Sequence, residues 1–158
     1  SYTTKEKNMT DQKHTGILIA EDEKVLLDFY RRELEKKYER VLTASSKEEA
    51  LKVFHTEKEN GAQVPLVITD VEMETEMAGT ELIWEISKQE PATQFIIISN
   101  LHKRAFVAIQ TANANVASLP KPAEMFHLKL AVSSALQRYS EAVWVNRLKK
   151  LIKEAPWL

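Results

Sequence analysis

The chain contains no cysteine. Disulfides, thiolate metal sites and a cysteine nucleophile are thereby excluded, and the absence fits a cytoplasmic protein. No apolar stretch approaches the length of a membrane span, so the membrane is not an expected partner. Net charge is nearly absent too: -1 over 158 residues. That removes the electrostatic reason to expect nucleic acid or an anionic membrane surface as a main partner. Repeats, low-complexity tracts and an obvious linker are missing. The N-terminus, SYTTKEKNMTDQKHTG, is polar and lacks the apolar core of a signal peptide. Residues 1–15 are expected to be disordered, with Met9 a candidate natural start.

What remains is the composition of a globular domain, 44% hydrophobic and 28% charged, long enough for one domain with its own core. Short apolar runs alternate with helical patterns. Residues 17–20, 41–44, 66–69, 95–98 and 116–119 read as strands. Between them, apolar spacing predicts helices over 23–38, from Ser46 to about Asn60, over 80–89 and over 103–113. Ser46 followed three residues later by Glu49 has the form of a capping box. From Ala123 to Ala155 there is neither glycine nor proline, which suits one long helix or two abutting ones. Strands without polar alternation are buried on both faces. The expected fold is therefore α/β, a doubly wound five-stranded parallel sheet covered by helices on each side.

In such a sheet, ligands bind beyond the carboxyl ends of the strands. There the sequence places Glu21, Asp22 and Glu23, then Asp70, then Ser99 and Asn100, then Lys121 and Pro122. Carboxylates gathered at one edge repel one another, and a hard cation such as Mg²⁺ relieves that repulsion. A lysine and a hydroxyl beside the metal suit a phosphoryl group, which makes Asp70 a candidate nucleophile. Taken singly, each residue is ordinary. An acid at a strand end is usually a helix cap, Ser99 a strand-end hydroxyl and Lys121 a surface cation. Glu23 reads as a helix-start acid. His14, His55, His102 and His127 show no ligand spacing and read as surface residues.

Together, ILIAEDE, VITDVEM, IIISN and LPKP occur in the order and spacing of a known family. Over about residues 16–138 the sequence resembles the receiver domain of two-component response regulators. The resemblance implies a flavodoxin-like strand order 2-1-3-4-5 and a Mg²⁺-dependent phosphoacceptor rather than a turnover enzyme. It implies that Asp70 takes a phosphoryl group from a sensor histidine kinase or phosphotransfer protein. Asp22, Asp70 and the backbone carbonyl of Glu72 would hold the metal, with Glu21 acting through water. Ser99 would swing toward the phosphoryl group and Lys121 would pair with its oxygens. The Lys121–Pro122 bond would be cis. The surface around 103–113, 116–119 and the following helix would report to a downstream protein or an output domain.

Three positions depart from the family pattern. Met73 is not followed by proline, and the loop to Gly79 is one residue longer and carries Glu74 and Glu76. A more mobile and more negative rim is expected there. Ser118 stands where the family has an aromatic ring, and Asn100 where it has a small residue. These departures motivate an alternative, a phosphorylation-independent interaction module. A hydrolase acting through an aspartyl-phosphate would want a second aspartate at position 72, which is glutamate. Residues 139–158 form an expected helical extension with an apolar stripe at Trp144, Leu148, Leu151 and Ile152. It is expected to fold back on its domain, to pair with a second copy or another partner, or to lead as a signalling helix to an output domain.

Overall fold

The computed structural model describes residues 15–100 and 115–156. The expected helix over 103–113, and nearly all of the expected disordered segment, lie outside the described residues. In chain order the elements are β1 (Thr15–Ala20), α1 (Lys24–Glu35), β2 (Val41–Ala44), α2 (Lys47–Glu59) and β3 (Gln63–Thr69). Then come α3 (Ala78–Gln89), β4 (Gln94–Ser99), β5 (Val116–Pro120) and α4 (Met125–Glu154). All strand pairs are parallel and the sheet order is β2-β1-β3-β4-β5. Among the described residues no helix is long and apolar enough to cross a membrane.

Alternation along each central strand divides the interior into two cores, because successive side chains point to opposite faces. Ile17, Ile19, Leu66, Ile68, Ile96 and Ile98 face one side, where Tyr30 and Leu34 of α1 and Leu128 and Val132 of α4 cover them. Leu18, Ala20, Val67, Phe95 and Ile97 face the other, covered by Phe54 of α2 and Leu82, Ile83 and Ile86 of α3. The central runs need no polar positions because neither face meets water.

The elements follow the sequence pattern with instructive differences at their ends. β1 begins at Thr15, which pairs with Gln63. β3 begins at Gln63 rather than Leu66, and the register shifts between Thr15 and Ile17. Pro65 lies within that shift; it has no N–H to give the ladder, so an irregularity belongs there. The last helix is a single one of 30 residues rather than two abutting helices. Its first half packs on the sheet through Leu128, Val132 and Ala135. Its second half leaves the domain, and Trp144, Leu148, Leu151 and Ile152 are exposed. The stripe does not fold back.

Candidate functional site

The carboxyl ends of β1, β3, β4 and β5 meet at one edge of the sheet, and the side chains they carry there are mostly buried. Glu21 is 2% exposed and Asp70 is 7% exposed. Ser99 is buried at the end of β4. Asp22, by contrast, is exposed. Asp70 continues the strand ladder through its N–H, which donates to the Ala20 carbonyl at 3.2 Å. Its Oδ1 accepts from the N–H of Val71 at 2.7 Å, and the N–H of Glu72 faces the same oxygen at 3.4 Å. Its Oδ2 accepts from Lys121 Nζ at 2.5 Å. The carboxylate is thus fixed at one oxygen by backbone and at the other by a cation.

Lys121 also donates to Glu21 Oε1 at 3.2 Å, so one ammonium bridges two buried carboxylates. The Lys121 N–H donates to the Ser99 carbonyl at 3.1 Å, and the Lys121–Pro122 bond is cis. Burial pushes the Glu21 carboxyl above its usual range, and the neighbouring Lys121 charge only partly offsets that. Burial alone would depress Lys121. The hydrogen bond to Asp70 and the charges of Glu21 and Asp70 outweigh it, and Lys121 is held above the usual lysine value.

Glu21, Asp22 and Asp70 each offer a carboxylate oxygen, all within 4.8 Å of one another. An all-oxygen set with one exposed member is the chemistry a hard divalent cation takes, and these residues fit one. The Glu72 side chain is exposed, as are those of Glu74, Glu76 and Asn100. Ser118 is half-buried on β5, paired with Ile97 of β4. His55 and His127 are exposed, while His14 and His102 lie outside the described residues.

In the loop between β3 and α3, Glu74 has a specific partner at the start of α2. Both its oxygens accept the backbone N–H of Lys47, at 2.9 and 3.0 Å, at the start of α2. A helix N-terminus has unsatisfied N–H groups and a positive dipole end, so a carboxylate is favoured there. The loop is also tied internally: Met73 N–H donates to the Thr75 carbonyl, and Gly79 N–H donates to the Val71 carbonyl. A Cβ on Gly79 would lie 1.7 Å from the Asp70 carbonyl oxygen. Only glycine lets α3 start this close to the end of β3.

Tyr30, on the helix expected over 23–38, feels the charges of the site although the strand-end reasoning did not include it. Its phenol is buried, and burial together with the Glu21 charge pushes it above the usual tyrosine value. The signal in the sequence was faint: one polar-tipped ring on an otherwise apolar helix face.

Comparisons with known proteins bear on the family and the fold. The sensor kinase CckA of Brucella abortus is 33% identical over 122 residues, covering 77% of this chain and 12% of that protein. The transcriptional regulatory protein GlrR of Escherichia coli is 30% identical over 145 residues, covering 91% of this chain and 31% of that protein. The chain thus spans at most about a third of the length of these curated relatives. Among solved structures, a response regulator receiver domain protein from Clostridium thermocellum superimposes with a TM-score of 0.68 at 31% identity, covering 81% of this chain and 98% of that one. An adenylate cyclase from Rhodopirellula baltica shares the fold at 22% identity, with a TM-score of 0.73 over 90% of this chain and 98% of that one. The family model of the response regulator receiver domain matches residues 17–133, most of the chain. With its strand order and its edge of carboxylates and lysine, the chain belongs to the response regulator receiver domain family.

Proposed function

We propose that residues 16–138 form a cytoplasmic receiver that accepts a phosphoryl group on Asp70 and signals through a conformational switch. The observation that carries this reading is Lys121 bridging Asp70 and Glu21 beside an exposed Asp22. The donor is the phosphohistidine of a sensor histidine kinase or phosphotransfer protein. An oxygen of Asp70 forms the new P–O bond as the P–N bond breaks, and the bonding pair leaves on the donor's imidazole. Asp22, Asp70 and the Glu72 backbone carbonyl would hold Mg²⁺, with Glu21 acting through water. Bound there, the ion supplies positive charge to the phosphoryl oxygens. Lys121 leaves the carboxylates to pair with phosphoryl oxygens, and the Ser99 hydroxyl donates to another. The phosphoryl group favours an active conformation already populated in the unmodified chain.

Val25 and Phe29 on α1 and Phe126 on α4 are exposed apolar side chains on the helices of one sheet face. They suit contact with the phosphoryl donor. The extension over 139–158 serves as the pairing surface of a homodimer or as the lead to an output domain or downstream protein.

The test is incubation with acetyl phosphate and Mg²⁺, followed by intact mass. An acid-stable, alkali-labile phosphoryl adduct is expected on the wild type and not on Asp70→Asn. No adduct and no Mg²⁺ binding would instead select an interaction module that works without phosphorylation. Rapid turnover of small phosphoesters would select a hydrolase.

A further inference from the structure

Glu72 lies in the loop over residues 70–77, which contains no proline. A backbone oxygen is useful to a cation only if the peptide that carries it is held. Before Glu72 the loop is held by the strand it leaves. Asp70 N–H donates to the Ala20 carbonyl, Val71 N–H donates to Asp70 Oδ1, and the Val71 carbonyl accepts from Gly79 N–H at 2.9 Å. Just past Glu72, Met73 N–H donates to the Thr75 carbonyl at 3.1 Å, and the Met73 side chain packs against the core under α2 and α3.

Glu74 then reaches out of the loop to another element. Its two oxygens accept the Lys47 N–H at 2.9 and 3.0 Å. That end of α2 is a firm anchor, because Ser46 Oγ accepts the Glu49 N–H at 3.1 Å, and Ala50 and Phe54 are buried. Lys47 is engaged a second time: its Nζ donates to Glu81 Oε2 on α3 at 2.6 Å. One residue of α2 thus ties the middle of the loop to the helix that follows it. Ser46 supplies the local cap, so α2 can start without a carboxylate 27 residues away.

We propose that Glu74 is a positioning residue for the metal site, a latch to α2 that fixes the Glu72 peptide two residues away. Without proline, the dihedrals around Glu72 are restrained only by such contacts. Fixing them in advance removes an ordering cost from cation binding. The use of the Glu72 carbonyl by the metal rests on the phosphoacceptor reading above. The latch itself rests on the contacts of Glu74 and Lys47.

Titration calorimetry of the full chain with Mg²⁺ alone tests this on the wild type, Glu74→Ala, Glu74→Gln and Ser46→Ala. Glu74→Ala should weaken Mg²⁺ binding about five- to thirtyfold, the equivalent of one residue's backbone ordering. Glu74→Gln keeps an oxygen that can accept the Lys47 N–H and should recover most of that loss. Equal losses in the alanine and glutamine variants overturn the proposal, since the charge of Glu74 and not its latch would then matter. Ser46→Ala removes a cap from the same helix and leaves the loop contacts in place, so its Mg²⁺ affinity should match the wild type. An equal loss in Ser46→Ala, or none in Glu74→Ala, overturns the proposal as well. Amide exchange of Met73 without metal, followed by NMR, gives the second readout. Faster exchange in Glu74→Ala than in the wild type and Ser46→Ala supports the latch, and unchanged exchange overturns it. A wild type that binds no Mg²⁺ overturns the metal part of the phosphoacceptor reading, and the Met73 amide then decides the latch by itself.

Discussion

Glu21 and Lys121 are coupled by burial as much as by charge. The ammonium of Lys121 holds two carboxylates that would otherwise repel each other at the mouth of β1 and β3. Burial nevertheless raises the Glu21 carboxyl above 4.5, so the folded chain holds that proton more tightly than the unfolded chain does. The stability tied to it is complete below pH 4.5 and is lost as pH rises through the folded-state pKa. Glu21→Gln carries no such charge. Urea unfolding from pH 7 downward should therefore show the wild type gaining on Glu21→Gln as pH falls. A gap independent of pH would mean that Glu21 titrates alike in both states. Lys121 behaves in the alkaline range: its contribution is full below 10.5 and is lost as pH rises through its raised folded-state value.

At the scale of elements, the start of α2 shows which contacts a sequence can carry. Ser46 and Glu49 were legible as a cap because their spacing is local, and Ser46 Oγ accepts the Glu49 N–H at 3.1 Å. The reciprocal contact falls one residue earlier than the capping-box pattern requires, with the Glu49 carboxylate accepting from the N–H and hydroxyl of Ser45. Glu74, which holds the Lys47 N–H, is 27 residues away, and no local pattern points to it. This carboxylate joins the loop after the candidate phosphoacceptor to a helix on the α2–α3 side of the sheet. Glu74→Ala should cost about 1 kcal/mol, the ordinary value of a helix cap, as a lowered denaturation midpoint with unchanged slope. No loss of stability would show that the contact is made equally well by water.

For the molecule as a whole, α4 is the element that belongs to two environments. Leu128, Val132 and Ala135 anchor it in the core, whereas residues 144–154 are exposed, with four large apolar side chains along one stripe. A helix of that length is marginal by itself in water and depends on the packed half to nucleate it. Removal of residues 145–158 should leave thermal unfolding of the sheet within a few degrees of the full chain. If the stripe pairs two copies, the same truncation should turn a concentration-dependent sedimentation coefficient into a monomeric one. A full-length chain that sediments as a monomer at every concentration would rule out the homodimer.

The five strands, the burial of the central three on both faces and the residues at the strands' carboxyl ends were readable from the order of the amino acids, because apolar runs and strand-end polar residues are local facts; the edge strands β2 and β5 are only partly buried. Asp70 at the end of LVIT is an example: the run makes the strand, and the parallel sheet then has one edge at which the acids, Ser99 and Lys121 must gather. Tertiary structure alone decided which partners each charge finds there. It gave Lys121 to both Asp70 and Glu21, tied Glu74 to the start of α2 and carried the last helix past its own domain. Those outcomes depend on distances between residues far apart in the chain, and sequence spacing does not encode them.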